Sequence, residues 1–192
     1  MKKILYTLLA VSIIFSACEE DTPLPAPNNN NNSALAIGDT HQGGIVFYLD
    51  GNGGGLITSP TDQSVETWGC YGTLISGADG TAIGTGAQNT IDIEAGCTTP
   101  AIAADICANL TLNGYSDWFL PSFDELNEMY VRIGQGSETL FPFLGNIGGF
   151  AETEYWSSSE SGLDALRIKF QDGWSGIASK YAPKKVHAIR AF

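Results

Sequence analysis

"GYSDWFLPSFDELNEMY", residues 114–130, joins a glycine turn, an aspartate, a tryptophan and a proline to a self-capping helix. Ser122 stands three residues before Glu125, the S-x-x-E spacing in which each side chain satisfies a free N–H at the helix start. Pro121 keeps that helix from extending backwards. Leu126, Met129, Tyr130 and Ile133 recur at helical spacing and predict a buried stripe. Asp124, Glu125 and Glu128 fall in the first turns, where acidic side chains complement the helix dipole. Trp118 and Leu120 sit two apart, as on one face of an incoming strand. The rival reading makes Asp117, Asp124 and Glu128 acid/base groups or cation ligands, with Asp124 and Glu128 one helical turn apart. Acidic residues in a first turn more often cap and solvate, so the stretch predicts framework, with Trp118, Pro121, Ser122 and Glu125 as structural residues.

Upstream, the chain opens on an address. Lys2 and Lys3 precede an apolar run, Ile4 to Phe15, and Ser16 and Ala17 then lead to Cys18. The run is shorter than the roughly 20 apolar residues of a membrane-spanning helix. It reads as a signal peptide over residues 1–17. The small pair ending on cysteine resembles the lipobox of bacterial lipoproteins, with Phe15 where leucine is usual, and implies lipidation at Cys18. Glu19, Glu20 and Asp21 resemble a surface-export signal of some Gram-negative lineages. The expectation is a lipoprotein of the outer membrane, facing the cell surface and held to the membrane through Cys18. Residues 18–36, rich in proline and asparagine, lack the apolar content to fold and read as a tether. Residues 37–192 have the length of one domain.

The domain predicts α+β architecture: two central helices with antiparallel β-hairpins at both ends. "GGIVFYLDGNGGGLIT" reads as the first hairpin, Ile45 to Leu49 returning through Leu56 to Thr58. Its glycine run has no following lysine and is no phosphate loop. Calcium at Asp50 and Asn52 would lack the EF-hand spacing and its closing glutamate, so no metal or cofactor is expected. Trp68 is expected to be at least half buried. A glycine-rich surface loop follows it, then a helix over about 101–110, then the capped helix, then a glycine- and phenylalanine-rich loop over 134–150. The last third predicts strands: "EYWSSSE", carrying Trp156 as a further structural residue, "DALRIKF", "WSGIAS" after the Asp172–Gly173 turn, and "KVHAIRAF" as one closing strand.

Three cysteines remain beyond Cys18. Cys70 and Cys97 flank the glycine-rich segment, and a Cys70–Cys97 bridge would stabilise the fold by roughly 3 kcal/mol. A Cys97–Cys107 bridge stays open on sequence alone. Cys107 lies in a stretch of helical periodicity where a buried thiol is at home. No Cys/His spacing suits zinc.

The chain carries 9 Lys and Arg against 21 Asp and Glu. Without Lys2 and Lys3, 7 cations face the same 21 acids, a formal charge of −14. Nucleic acid is therefore not an expected partner. Six of the 7, Arg167, Lys169, Lys180, Lys184, Lys185 and Arg190, crowd the C-terminal end. Lys180, Lys184 and Lys185 could gather before the last strand, with Arg167 and Lys169 on one strand face and Trp174 or Tyr181 to stack on a sugar. Such a patch suits an acidic glycan. The alternative is that these cations only balance the acidic remainder.

No catalytic set is expected. Ser157, Ser158 and Ser159 lack a G-x-S-x-G elbow, and His41 and His187 are the only histidines. Cys107 has no placed base. An enzyme acting on surface carbohydrate would need Asp117 or Glu128 in a cleft beside a second carboxylate of raised pKa. A purely structural envelope component is the third class.

"GYSDWFLPSFDEL", then "YWSSS", "ALRIKFQDG" and "VHAIRAF", together with "IGDTHQGGIVFYLDGNGGGLI" and "TWGCYGT", resemble the Lcl C-terminal-domain-like family, a bacterial surface domain named after a collagen-like adhesin. The resemblance spans about residues 37–192. More distantly, the W-x-L-P pattern resembles C-type-lectin-like folds, including formylglycine-generating enzymes. Phe119 stands where those relatives commonly have arginine, and their copper-binding cysteine pair has no counterpart. The resemblance implies a compact α+β, C-type-lectin-like domain on the cell surface, in some members binding sulfated polysaccharides, and implies no catalytic residues; the partners expected here are extracellular glycans or surface proteins.

Overall fold

The computed structural model describes residues 34–137 and 145–192. The signal peptide, the lipidation site at Cys18 and all but the end of the tether lie outside the described residues. One compact unit runs from Ala34 to Phe192. Leu35, at the end of the expected tether, already packs against its core.

The architecture is α+β. Strands β1 (Thr40–His41), β2 (Gly44–Leu49), β3 (Gly55–Thr58) and β4 (Ser64–Glu66) come first. Helices α1 (Gly86–Gly96), α2 (Ala103–Ala108) and α3 (Phe123–Ile133) follow. Then come β5 (Glu154–Ser161), β6 (Asp164–Lys169), β7 (Ser175–Ser179), β8 (Lys184–Val186) and β9 (Ile189–Ala191). One sheet has the order β1-β2-β3-β9 and the other β4-β8-β5-β6-β7. Every pair is antiparallel except β5 with β8.

Two cores explain the layering. Alternate residues of a strand face opposite sides. Val46, Ile57 and Trp156 thus join one core with Trp68, Ile93, Trp118 and Leu120. Phe47, Leu56 and Tyr155 join a second with Leu126, Met129, Ile133 and Phe170. Helix α3 packs on β2, β5 and β6, while α1 packs on α2 and β5.

The capping box forms as its spacing predicts. Ser122 Oγ accepts from Glu125 N–H at 3.4 Å, and Glu125 Oε2 accepts from Ser122 N–H at 2.7 Å. The motif also holds together segments distant in sequence. Glu125 Oε1 takes Gly84 N–H at 2.8 Å, and Ser122 Oγ donates to Ala82 O at 2.9 Å. A Cβ on Gly86, the first residue of α1, would fall 2.2 Å from Glu125 Oε2. Glycine there is what lets α1 dock on the cap. Burial raises the Glu125 carboxyl above its usual range, although the Ser122 and Gly84 N–H groups pull the other way.

Three expectations are corrected. The glycine-rich segment after Trp68 is not all surface loop, because it contains α1. Only Ile93 is a large apolar residue on that helix's buried face, which otherwise presents Gly86, Asn89 and Thr90. Its side-chain hydrogen bonds replace apolar packing: Asn89 Nδ2 donates to Gly80 O at 2.6 Å, and Thr90 Oγ1 accepts from Leu120 N–H at 3.1 Å. There are accordingly three described helices rather than two, and the helix expected over 101–110 is the shorter α2. The closing strand is two strands. The chain leaves one sheet after Val186, turns His187 toward Asp62 and Ser59, and enters the other sheet at Ile189.

Candidate functional site

Each of the seven described Lys and Arg side chains has a carboxylate partner, and most partners come from distant segments. Arg167 lies 3.3 Å from Glu154, Lys169 lies 3.3 Å from Asp172, and Lys185 lies 3.0 Å from Asp62. Lys184 pairs with Glu154, Arg190 with Asp117 and Arg132 with Glu128. Lys180 pairs with Glu160.

This corrects the expected grouping of Lys180, Lys184 and Lys185. They face three different carboxylates. Lys180 is fully buried, so it presents no charge to a ligand. Its ammonium also donates to Thr73 O at 2.7 Å and lies 4.4 Å from the centre of the Trp68 ring. Glu160 in turn accepts from Ile75 N–H at 2.8 Å. Trp174 is 57% exposed, but one face of its ring is covered by the Arg167 guanidinium, 3.7 Å from the ring centre.

The open aromatic surface lies instead above Lys180. Trp68 N–H donates to Lys180 O at 3.1 Å, which draws the segment after Trp68 against residue 181. Tyr71 (69% exposed) and Tyr181 (75% exposed) thereby meet edge to face, with ring centres 6.4 Å apart. They rim a cleft of about 180 Å³ that also borders Thr67, Gly69 and Thr99. Cys70, beside Tyr71, bridges to Cys97 and holds φ at 45°, a left-handed conformation uncommon outside glycine. Buried Lys180, the disulfide and the backbone bond together fix the position of two exposed rings. Of these two, sequence reasoning named Tyr181. Tyr71 was missed because its partner lies 110 residues away and meets it only through the fold.

A second cleft, of about 240 Å³, runs between α1 and the stretch Asp117–Phe119. Ala87, Thr90, Ile91 and Glu94 line it from one face of α1. Burial, and then the nearby Asp105, raise the Glu94 carboxyl above its usual range. Asp117 opposite carries the Arg190 guanidinium on Oδ1 and remains 62% exposed.

The other candidates have structural partners. Ser157 Oγ donates to Leu166 O at 2.8 Å, Ser158 Oγ accepts from Asn89 Nδ2 at 3.2 Å, and Ser159 Oγ donates to Gly80 O at 2.6 Å. Glu128 is held by Arg132 at 2.9 Å. Burial pushes the Cys107 thiol far above its ordinary pKa, so it is no nucleophile in the folded state. Among the described residues, no three His, Cys, Asp or Glu side chains converge as a metal site.

His187 is buried, with Nδ1 2.9 Å from Asp62 Oδ1 and Nε2 2.9 Å from Ser59 O. Burial alone would raise the Asp62 carboxyl. Hydrogen bonds from His187 and Lys185 outweigh it and hold the group below its usual value. A carboxyl depressed in the fold contributes stability that is present above its unfolded pKa and lost as pH falls through the folded one. Asp62→Asn is therefore expected to destabilise the domain at neutral pH, by an amount that shrinks as pH drops below the ordinary carboxylate range. Urea melts across pH 3 to 7 check this, and a gap that stays constant with pH contradicts it.

No family model matches this chain, and no curated protein matches it either. No described helix is long and apolar enough to cross a membrane. Fold and site define an α+β domain with a disulfide-pinned aromatic cleft, its described cations paired internally.

Proposed function

We propose that this protein is a lipid-anchored, cell-surface lipoprotein whose C-type-lectin-like domain, related to the Lcl C-terminal-domain-like family, binds glycans without catalysis. The observation that carries the reading is the Tyr71–Tyr181 pair. Large exposed aromatic rings beside a cleft are exposed hydrophobic surface with a use. Their faces stack on the apolar faces of sugar rings, while Thr67 and Thr99 at the same cleft offer hydroxyl partners. The expectation of an acidic polysaccharide gives way to a glycan recognised by stacking, because the described cations are already paired.

Tyr71→Ala and Tyr181→Ala are each expected to weaken glycan binding at least about tenfold, the loss of one well-placed aromatic contact. Both residues are exposed, so the melting temperature should move little. A glycan array probed with the full mature chain and the two variants measures this. Binding that survives both substitutions would sink the assignment to this cleft.

A surface carbohydrate hydrolase is a second reading, favoured by one observation. Asp117 and Glu94 line the same cleft, and Glu94 is the carboxyl raised by burial and by Asp105. Glycoside hydrolysis uses a pair of carboxyl groups, one of them with a raised pKa. Release of new reducing ends from a bound polysaccharide, abolished in Glu94→Gln, would establish it. Binding with no release leaves the non-catalytic reading.

A further inference from the structure

Among the described strands, three of the four sheet edges are short or covered. β1 has two residues, and β4 has three and ends on the charged Glu66. β9 has three, and its outer side bridges to Phe119, whose N–H donates to Ile189 O at 2.9 Å. β7 is different. It runs five residues, Ser175–Ser179, and closes its sheet with β6 as its only neighbour. Its register with β6 is unbroken, and its sequence, SGIAS, holds no charge and no proline. Sheets usually guard an open edge with shortness, lysine, proline or a bulge, because free N–H and C=O groups invite another strand. β7 has none of these guards.

Its outward backbone groups are self-complementary. Lys169 N–H donates to Trp174 O at 2.8 Å, and alternate residues of an antiparallel strand turn their backbone groups to opposite sides. Gly176 and Ala178 therefore bond toward β6, while Ser175, Ile177 and Ser179 direct their N–H and C=O outward. A two-fold axis through Ile177 sets it opposite the partner's Ile177, and sets Ser175 opposite the partner's Ser179. Each of these pairs can exchange both backbone bonds. Ser179 O already accepts from Ala182 N–H at 2.9 Å, but a carbonyl oxygen has a second lone pair. Ile177 is 55% exposed, and the same axis packs it against its own copy. The mature chain's formal charge of −14 opposes self-association in general, yet β7 brings no charge to the contact. A foreign strand would need side-chain pockets for specificity, and neither cleft described above borders β7.

We propose that two copies of this chain associate by pairing their β7 strands antiparallel about a two-fold axis through Ile177. Each copy has one such edge, so assembly closes at the dimer. One short strand buries less area than a standard interface, so the dimer is weak and depends on concentration. Tyr181 follows Ser179 by two residues, so the dimer carries one tyrosine cleft at each end of the shared strand pair. The pairing uses backbone groups and Ile177, and it is independent of glycan binding.

The test is sedimentation equilibrium of the full mature chain carrying Cys18→Ser, from about 1 µM to about 1 mM, the range of weak interfaces. The expected result is a monomer–dimer equilibrium with nothing larger. Ile177→Lys places two like charges together on the axis and should weaken the dimer at least about tenfold. Ile177 is exposed, so the melting temperature of that variant should move little. Ile177→Cys reads the register. Paired Cα atoms about 5.5 Å apart lie within disulfide reach, so this variant should form a crosslinked dimer on oxidation. Val65→Cys, similarly exposed on the β4 edge, should not crosslink. Cys107 is buried and takes no part. A chain that stays monomeric throughout, or a dimer indifferent to Ile177→Lys, overturns the proposal. An Ile177→Cys chain that does not crosslink, or growth beyond two copies, overturns it equally.

Discussion

Replacing Glu160 by alanine will destabilise the domain by about 3–5 kcal/mol, the cost of stranding a buried charge. The ammonium of Lys180 is fully enclosed, and among the described residues Glu160 is its only carboxylate partner. Removing Glu160 leaves Lys180 with Thr73 O and the Trp68 ring, and leaves Ile75 N–H without its acceptor. For a domain of this size each kcal/mol moves the melting temperature by about 2–4 °C, so the transition should fall by roughly 6–20 °C. The pair itself is a different quantity from the loss of one partner. Replacing both ions by neutral side chains of similar length, Lys180→Met with Glu160→Gln, should recover most of the stability, because desolvation and attraction nearly cancel in a buried pair. Thermal melts of the two variants decide this. A single variant as stable as the parent, or a double variant no better than the single, contradicts the account. The consequence reaches the surface, since Lys180 O holds the segment leading to Tyr71.

Removing the Cys70–Cys97 bridge, as Cys70→Ser with Cys97→Ser, should cost about 3–4 kcal/mol. The closed loop spans 27 residues, and crosslinking a loop of that length lowers the entropy of the unfolded chain by about this amount. The loop carries α1 and the core residues Ile75, Ala78 and Ile93, so the variant should also lose order in α1. Urea unfolding with and without reductant measures the difference. A loss under about 1 kcal/mol would mean that the segment orders through Asn89, Thr90 and the Glu125 cap alone. Cys107 should resist thiol reagents until the domain unfolds, because burial both encloses it and raises its pKa.

Much of the framework was legible because local rules decided it. The S-x-x-E spacing, the apolar stripe of α3, the hairpin before Thr58 and the turn at Asp172–Gly173 depend on residues close in sequence. Cys70–Cys97 was legible from the segment it flanks. Helix α1 was not, because its buried face is held by polar groups whose partners, Gly80, Leu120 and Ser158, lie elsewhere in the chain. The break at His187 was hidden for a similar reason: alternating residues look alike whether or not the strand changes sheets. The candidate site was least legible. A cluster of cations in sequence reads as a basic patch, yet Glu154, Glu160, Asp62 and Asp117 reach them only through the fold. The exposed tyrosine pair is likewise a product of tertiary placement.

In the binding proposed above, the domain meets its glycan with aromatic faces rather than with free positive charge. Salt separates the two, because counterions screen exposed charges over about 8 Å at physiological strength and about 3 Å at 1 M. Glycan affinity of the full mature chain should change less than about twofold between those conditions. It should likewise survive Lys184→Ala with Lys185→Ala and fail in the Tyr71→Ala, Tyr181→Ala variant. Affinity that collapses in high salt, or with the two lysines, would contradict the account.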